Sequence, residues 1–506
     1  MSMAVTVVAV LLSGCHNLPD GYTMPALPQI PAHEVTLTDF GVCPNDAQLC
    51  TQAFVEAIDH LESMGGGTLH VPKGAWITGP IVLKSHICLD IQEDACLMFS
   101  PELSLYATRQ ELWGEGGYKY QAPICAYRAT DVKISGKGVI DGGGERWRPM
   151  RREYAQPEEW QALMADTVNG VLNADSTRWM PINQMERDYC MQRMAAIDES
   201  GQRPWYRYKD MTRPENMWLY DCERVQIEGI TIRNSPMWNV HPELCRDLTI
   251  SNCNIQNDSW ATNGDGLDLE SCSHVYVGNC TLRVGDDAIC LKSGADEAGR
   301  LRGRPTEDVL VEDCCVYEAH GGFVVGSEMS GGVRNVYVRN CAFEGTDSGL
   351  RFKTNRQRGG TVENIEVKNV SMYQIKADAL LFDMYYRGQS PVLDVNEGHS
   401  VSDTLKVEVN EKTPVFRGIH FSDIGCIEVG RTFYFDGLAE SPVHDITIKN
   451  LSSLATAPSL MSECENISLK DIYFLPSGNQ EINLYHTKGI EADDETQKYL
   501  RLIDTL

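Results

Sequence analysis

Basic side chains are scarce in this 506-residue chain: 44 Lys and Arg stand against 71 Asp and Glu, a formal net charge of −27. Nucleic acid and anionic membrane surfaces are both held by clustered cations, so this acidic balance argues against either as a partner of the bulk surface. A polyanionic partner would have to be met by a local basic cleft. Long apolar runs are also missing. The one stretch of note, residues 1–15 (MSMAVTVVAVLLSGC), is too short to span a bilayer as a structural helix. Cys-x-x-Cys pairs, His/Cys metal spacings and a phosphate loop following a strand are all absent, so no metal and no cofactor are expected. Low-complexity tracts are lacking too, while 42% hydrophobic residues and 43 glycines supply an extensive core and many tight turns.

The apolar stretch has the length of an export signal and ends in Leu12-Ser13-Gly14-Cys15, which resembles the lipobox of bacterial lipoproteins, with Cys15 as the lipidated residue. It departs from such signals in having no Lys or Arg before it. The resemblance implies an exported bacterial protein, periplasmic or anchored at the outer membrane. His16 stands where an Asp would favour the inner membrane. Residues 16–33, rich in Pro and polar side chains, are expected to be a tether, and 34–506 a single folded body. Nothing in the chain specifies a protein partner, and a monomer is expected.

Eight segments share one pattern of polar, apolar, x, apolar, x, Asn/Asp, small, x, apolar, among them ERVQIEGITIRN, SHVYVGNCTLRV and RNVYVRNCAFEG. Taking Val225, Leu248, Val275, Val309, Val336 and Ile365 as markers, the steps are 23, 27, 34, 27 and 29 residues. Period-two alternation in a repeat of that length predicts short strands in the coils of a parallel β-helix, an all-β solenoid. Asn at the turn is expected to bond along the stack to backbone. The Cys in Asn252-Cys253, Asn279-Cys280, Asp313-Cys314 and Asn340-Cys341 recurs at one place, as a small core side chain would. Cys43 and Cys50 lie in a loop where a disulfide and two free thiols are both open.

Open solenoid ends need caps. From Thr51 to Gly65, Phe54, Ala57, Ile58 and Leu61 share a helical face with Gly at the stop, which predicts a capping helix. Residues 145–212 interrupt the repeat with Trp147, Trp160, Trp179 and Trp205 and two helix-compatible stretches, 158–166 and 186–198. Such an insertion can wall off a cleft or merely decorate the side.

Asp265 lies between coils, and Asp286-Asp287 follow 21 residues later, about one turn of the solenoid, so the three carboxylates are expected side by side. Crowded carboxylates cannot all ionise cheaply, which yields a proton donor and a base from one residue type, the need of glycosidic bond hydrolysis. Calcium binding or a solvated acidic rim would use the same residues. His320, between Ala319 and Gly321, comes one repeat on, and Arg351 and Lys353 one repeat further. These two alternate with Leu350 and Phe352, so both leave the same face of a strand, and Arg can grip a carboxylate in a bidentate fork.

Asn263-Gly264-Asp265, Gly285-Asp286-Asp287, His320-Gly321 and Arg351-x-Lys353, in that order, resemble glycoside hydrolase family 28, the polygalacturonases, over about residues 34–390. The resemblance implies a right-handed parallel β-helix and inverting hydrolysis of α-1,4 linkages between galacturonates in pectin. It implies Asp286 as general acid, Asp265 and Asp287 as activators of the attacking water, and His320 as tuner of the acid. Arg351 and Lys353 would hold substrate carboxylates. Asn263 and Tyr386 would join them, although Tyr385 is adjacent to Tyr386 and Gly264 replaces the Thr of many members. Residues 234–242 (NSPMWNVHP) and 326–334 (GSEMSGGVR) are similar to the exo-acting bacterial branch, and the 145–212 insertion supplies a physical cause for end-only access. Lys292 and Arg302, with Arg300 and Arg304, are further candidate carboxylate contacts, a solvated loop being the alternative. Competing readings are endo-cleavage, hydrolysis of rhamnogalacturonan or xylogalacturonan, a calcium-dependent pectate lyase, and a non-catalytic glycan-binding β-helix.

Overall fold

The marker residues stack in a single column: Val225 on Leu248, then Val275, Val309, Val336, Ile365, Ile419, Ile446 and Ile467, each paired in parallel register with the next. The structure is a computed structural model describing residues 17–110, 118–197, 212–388, 390 and 406–503, and it is a right-handed parallel β-helix. Coils outside the sequence pattern precede those markers, with Leu69, Leu89 and Ile134 stacked beneath Ile227. Alternation places Val, Ile, Leu and Phe inside, where they form one continuous core along the stack.

The turn asparagines sit at positive φ, Asn252 at 56° and Asn279 at 53°, the left-handed region that Asn tolerates. Their bonds along the stack run to the next side chain and not to backbone: Asn279 Nδ2 donates to Asn252 Oδ1 at 2.5 Å, and Asn369 to Asn340 at 2.8 Å. Beside them Cys253, Cys280, Cys314 and Cys341 are buried, each thiol donating to the carbonyl two residues upstream. Cys43 is exposed, Cys50 buried, and they are not bridged.

Helix α1 (Thr51–Ser63) caps the first coil through Phe54, Ala57, Ile58 and Leu61. Residues 17–33 are a docked strap instead of a tether. Apart from one turn closed by Tyr22 N donating to Pro19 O, this extended segment finds partners for its polar groups on the outside of the coils. Arg339 donates to Asn17 O at 2.8 Å, Tyr22 Oη donates to Val275 O at 2.8 Å, and Gln29 N donates to Asp131 Oδ1 at 2.9 Å. Cys15 lies outside the described residues.

The insertion carries α2 (Pro157–Ala165), α3 (Gln184–Ile197) and a three-stranded antiparallel sheet of Met150–Arg151, Arg178–Pro181 and Gly170–Leu172. Trp147, Trp160 and Trp179 are buried, and Trp205 lies outside the described residues. Its roots press against the coils just before Asp265. Arg148, fully buried, donates to Ser235 O, Asn257 Oδ1 and Asn234 Oδ1, and Arg213 donates to Pro236 O and Thr262 O.

Candidate active site

Adjacent parallel strands Leu267–Glu270, Asp287–Lys292, Gly321–Gly326, Ser348–Lys353 and Asp378–Asp383 build the face that carries the site. Asp265 precedes the first. Its loop is held by Asn257, which donates to Gly264 O at 3.1 Å, and by Asn239, whose backbone and side-chain N–H groups both donate to Asp265 O. Asp286 and Asp287 stand at the entry to the second strand. One oxygen from each of Asp265, Asp286 and Asp287 lies within 4.8 Å of the others.

Lys353 Nζ donates to Asp287 Oδ2 at 2.6 Å, and an Arg351 guanidinium nitrogen lies 3.4 Å from Oδ1. His320 Nδ1 is 3.1 Å from Asp286 Oδ1. The glycine after His320 suits this packing: a Cβ on Gly321 would stand 2.4 Å from a Val324 methyl, which would have to move. Tyr386, one coil beyond, has Lys353 Nζ 4.9 Å and Arg351 5.6 Å from its ring centroid, whereas Tyr385 faces Arg356. The geometry therefore separates the two tyrosines: Tyr386 belongs to the cluster.

Burial would push the Asp287 carboxyl up, but Lys353, Arg351 and Lys292 outweigh it and hold it at about 2. Asp265 goes the other way. It is 3% exposed, its Oδ1 has no hydrogen-bond partner among the described residues, and burial with the nearby Asp286 and Asp268 charges raises its pKa well above the carboxylate range. His320 is held up by its hydrogen bond to Asp286, against the effect of burial. The trio thus contains a carboxylate kept ionised and one that favours its proton, next to an imidazole that favours its own.

The three oxygens are close enough to share a cation. Lys353 and Arg351 already supply positive charge to Asp287 at contact distance, so one of the would-be ligands is committed to protein cations.

Asn263 is half-buried at the edge of the loop, in the left-handed region at φ 54°. Lys292 and Arg302 are placed differently from expectation. Lys292 is buried, with Nζ 3.2 Å from Glu328 and 3.5 Å from Asp268, and Arg302 is neither solvated nor open to the cleft. Its guanidinium is spent on Glu243 at 2.9 Å and Glu270 at 2.7 Å, which face it from neighbouring coils. Arg300 donates to the backbone of Gln357 and Arg358, and Arg304 is exposed. A fourth carboxylate, Asp268, was not singled out from the sequence: fully buried behind the trio, it is raised by burial to about 7 despite Lys292. Its alternation with Leu267 and Leu269 was the available signal. Trp238 was also not singled out as a site residue; it has Lys292 4.9 Å and Lys119 5.3 Å from its ring centroid and His241 on its edge, on the insertion side of the cluster.

The profile of glycosyl hydrolases family 28 matches residues 165–470. A probable polygalacturonase of Vitis vinifera is 28% identical over 432 residues, covering 83% of this chain and 74% of that protein. An exo-poly-alpha-D-galacturonosidase of Dickeya chrysanthemi is 24% identical over 492 residues, 94% of this chain and 76% of that one. Among solved structures, a hyperthermoactive exopolygalacturonase from Thermotoga maritima superposes with a TM-score of 0.70 at 30% identity, over 89% of this chain and 94% of its own. With the aspartate trio, the cations on Asp287 and the parallel β-helix that aligns them, these matches establish that the chain belongs to glycosyl hydrolases family 28.

Proposed function

We propose that the protein hydrolyses α-1,4 linkages between galacturonates in pectin, releasing units from a chain end. The observation that carries the reading is the pairing of the aspartate trio with Arg351 and Lys353: acid–base groups and carboxylate-binding cations lie on one face within contact of each other. Asp287, kept ionised, orients the attacking water with Asp265. Asp286, less buried than either and touching His320, protonates the leaving oxygen. His320, Arg351, Lys353 and Tyr386 hold the charge and the substrate. The end-on mode is supported by the insertion, which Arg148 and, just past its end, Arg213 lock onto the coils just before Asp265.

A second assignment is favoured by one observation. The buried Asp265 carboxyl is pushed up by burial and by the Asp286 and Asp268 charges, which suits it to the acid role, with Asp286 then beside the water. Stereochemistry also needs its own test. Nearest oxygens within 4.8 Å are closer than the roughly 6.5–9.5 Å usual between inverting carboxylates. The inverting reading rests on the family resemblance and on a third carboxylate available to the water.

The deciding experiment is product analysis on polygalacturonate with and without a chelator, with ultraviolet absorbance followed for unsaturated ends and proton NMR for the anomer. Monomer or dimer alone from the earliest times, first released as the β anomer without ultraviolet gain, is expected. Ultraviolet gain that appears without the chelator and is abolished by it would mean a lyase, and a ladder of oligomers would mean endo-cleavage. We further propose export with acylation at Cys15 and action as a monomer; metabolic labelling with a fatty acid, lost in Cys15→Ser, and light scattering test these.

A further inference from the structure

The insertion lies against the coils before Asp265, so a chain entering by its end must continue over the coils after Asp287. On that side nearly every cation already has a carboxylate. Arg351 and Lys353 turn back onto Asp287, Arg356 is 2.6 Å from Glu440, Arg358 is 2.9 Å from Asp296, and Arg431 is 2.7 Å from Asp378. Arg387 differs. It is exposed, has no carboxylate partner among the described residues, and its guanidinium lies 5.5 Å from the centroid of Tyr386, the ring that Arg351 and Lys353 also face.

Arg387 follows the strand Asp378–Asp383, three rungs from the strand of Asp287. Neighbouring strands are about 4.8 Å apart, so the strand that leads into Arg387 stands about 14 Å along the stack from that of Asp287, one rung beyond the strand of Arg351 and Lys353. We propose that Arg387 is a specificity residue that takes the carboxylate of the second galacturonate beyond the scissile bond, so that affinity rises between dimer and trimer. The inference rests on the galacturonan reading. Tyr386 supplies the pre-organisation: a guanidinium resting on an aromatic face loses less freedom when it binds a carboxylate, and Arg presents a planar fork to it.

The test compares wild type, Arg387→Ala and Arg387→Lys on digalacturonate and trigalacturonate. For the Ala variant, kcat/KM on the trimer is expected to fall about tenfold, mainly through KM, as the loss of one charged hydrogen-bonding contact implies. The rate on the dimer is expected to stay unchanged, and Lys to restore part of the trimer's affinity. An equal loss on dimer and trimer, or no loss on either, would overturn the role of Arg387 and leave the galacturonan reading standing. Cleavage of the trimer alone by wild type, the mark of an enzyme that releases dimers, would overturn this inference, and wild-type enzyme inert on both would overturn the galacturonan reading with it.

Discussion

Lys353 Nζ lies 2.6 Å from Asp287 Oδ2, a contact made between strands 66 residues apart in sequence that lie two rungs from each other in the stack. Burial alone would raise the Asp287 pKa; with Lys353 and Arg351 beside it the carboxyl is held at about 2. Replacing Lys353 by Met removes the largest opposing charge, so the Asp287 pKa rises. The acid limb of the pH–rate profile should then move to higher pH by about one unit or more, as expected for losing an adjacent cation. The rate on the plateau should fall about a hundredfold. The linkage has a definite sign: a depressed carboxyl stabilises the fold above its unfolded value of 3.8, and that gain is lost as pH falls through about 2. Kinetics and acid unfolding of wild type and variant, followed from pH 8 down to below the Asp287 value of about 2, check both.

The proton donor can be identified by the leaving group it serves. Asp286→Asn should slow natural substrates about a thousandfold. An aryl galacturonide with a good leaving group needs little protonation, so Asp286→Asn should recover on it while Asp265→Asn should not. The opposite pattern would give the acid role to Asp265, whose pKa is raised by burial and by its neighbours Asp286 and Asp268.

The coil markers from Val225 to Ile467 were legible because a strand with one buried face repeats with period two, and stacking requires the same pattern in every coil. The trio followed from the repeat length, since residues one coil apart become neighbours. Arg302 was not legible: whether a cation meets solvent, substrate or protein depends on which side chains arrive from other coils, and its partner Glu243 is 59 residues away. The strap over 17–33 carries no periodicity, so nothing in its composition separated a docked segment from a loose one. Asp268 sits in a strand of the site face, fully buried and flanked by leucines, with the lysine beside it 24 residues on.

The tyrosine pair offers a specific test. Tyr386 faces Arg351 and Lys353, while Tyr385 stacks on Arg356, which binds Glu440. Tyr386→Ala should raise KM for galacturonate oligomers and leave the unfolding midpoint near that of wild type. Tyr385→Ala should lower the midpoint and leave KM nearly unchanged. The same KM effect from both would mean that the two rings act as one wall.

Arg302 separates structure from recognition. Its side chain is 2% exposed and binds Glu243 and Glu270, with Glu270 also 3.1 Å from His241. His241 is buried, yet Glu215 and Glu270 raise it to about 9 against that burial, so the site holds alternating charges with little access to water. Arg302→Met leaves two buried carboxylates without their shared cation. Breaking a buried pair from one side costs about 3–5 kcal/mol, which should appear as a lowered denaturant midpoint. A substrate-binding Arg302 would instead raise KM and leave the midpoint in place, and the Arg302→Met, Glu243→Gln double variant, with one carboxylate neutralised, should regain part of the loss. Chemical denaturation beside KM on the trimer therefore decides whether this cation acts on the fold or on the substrate.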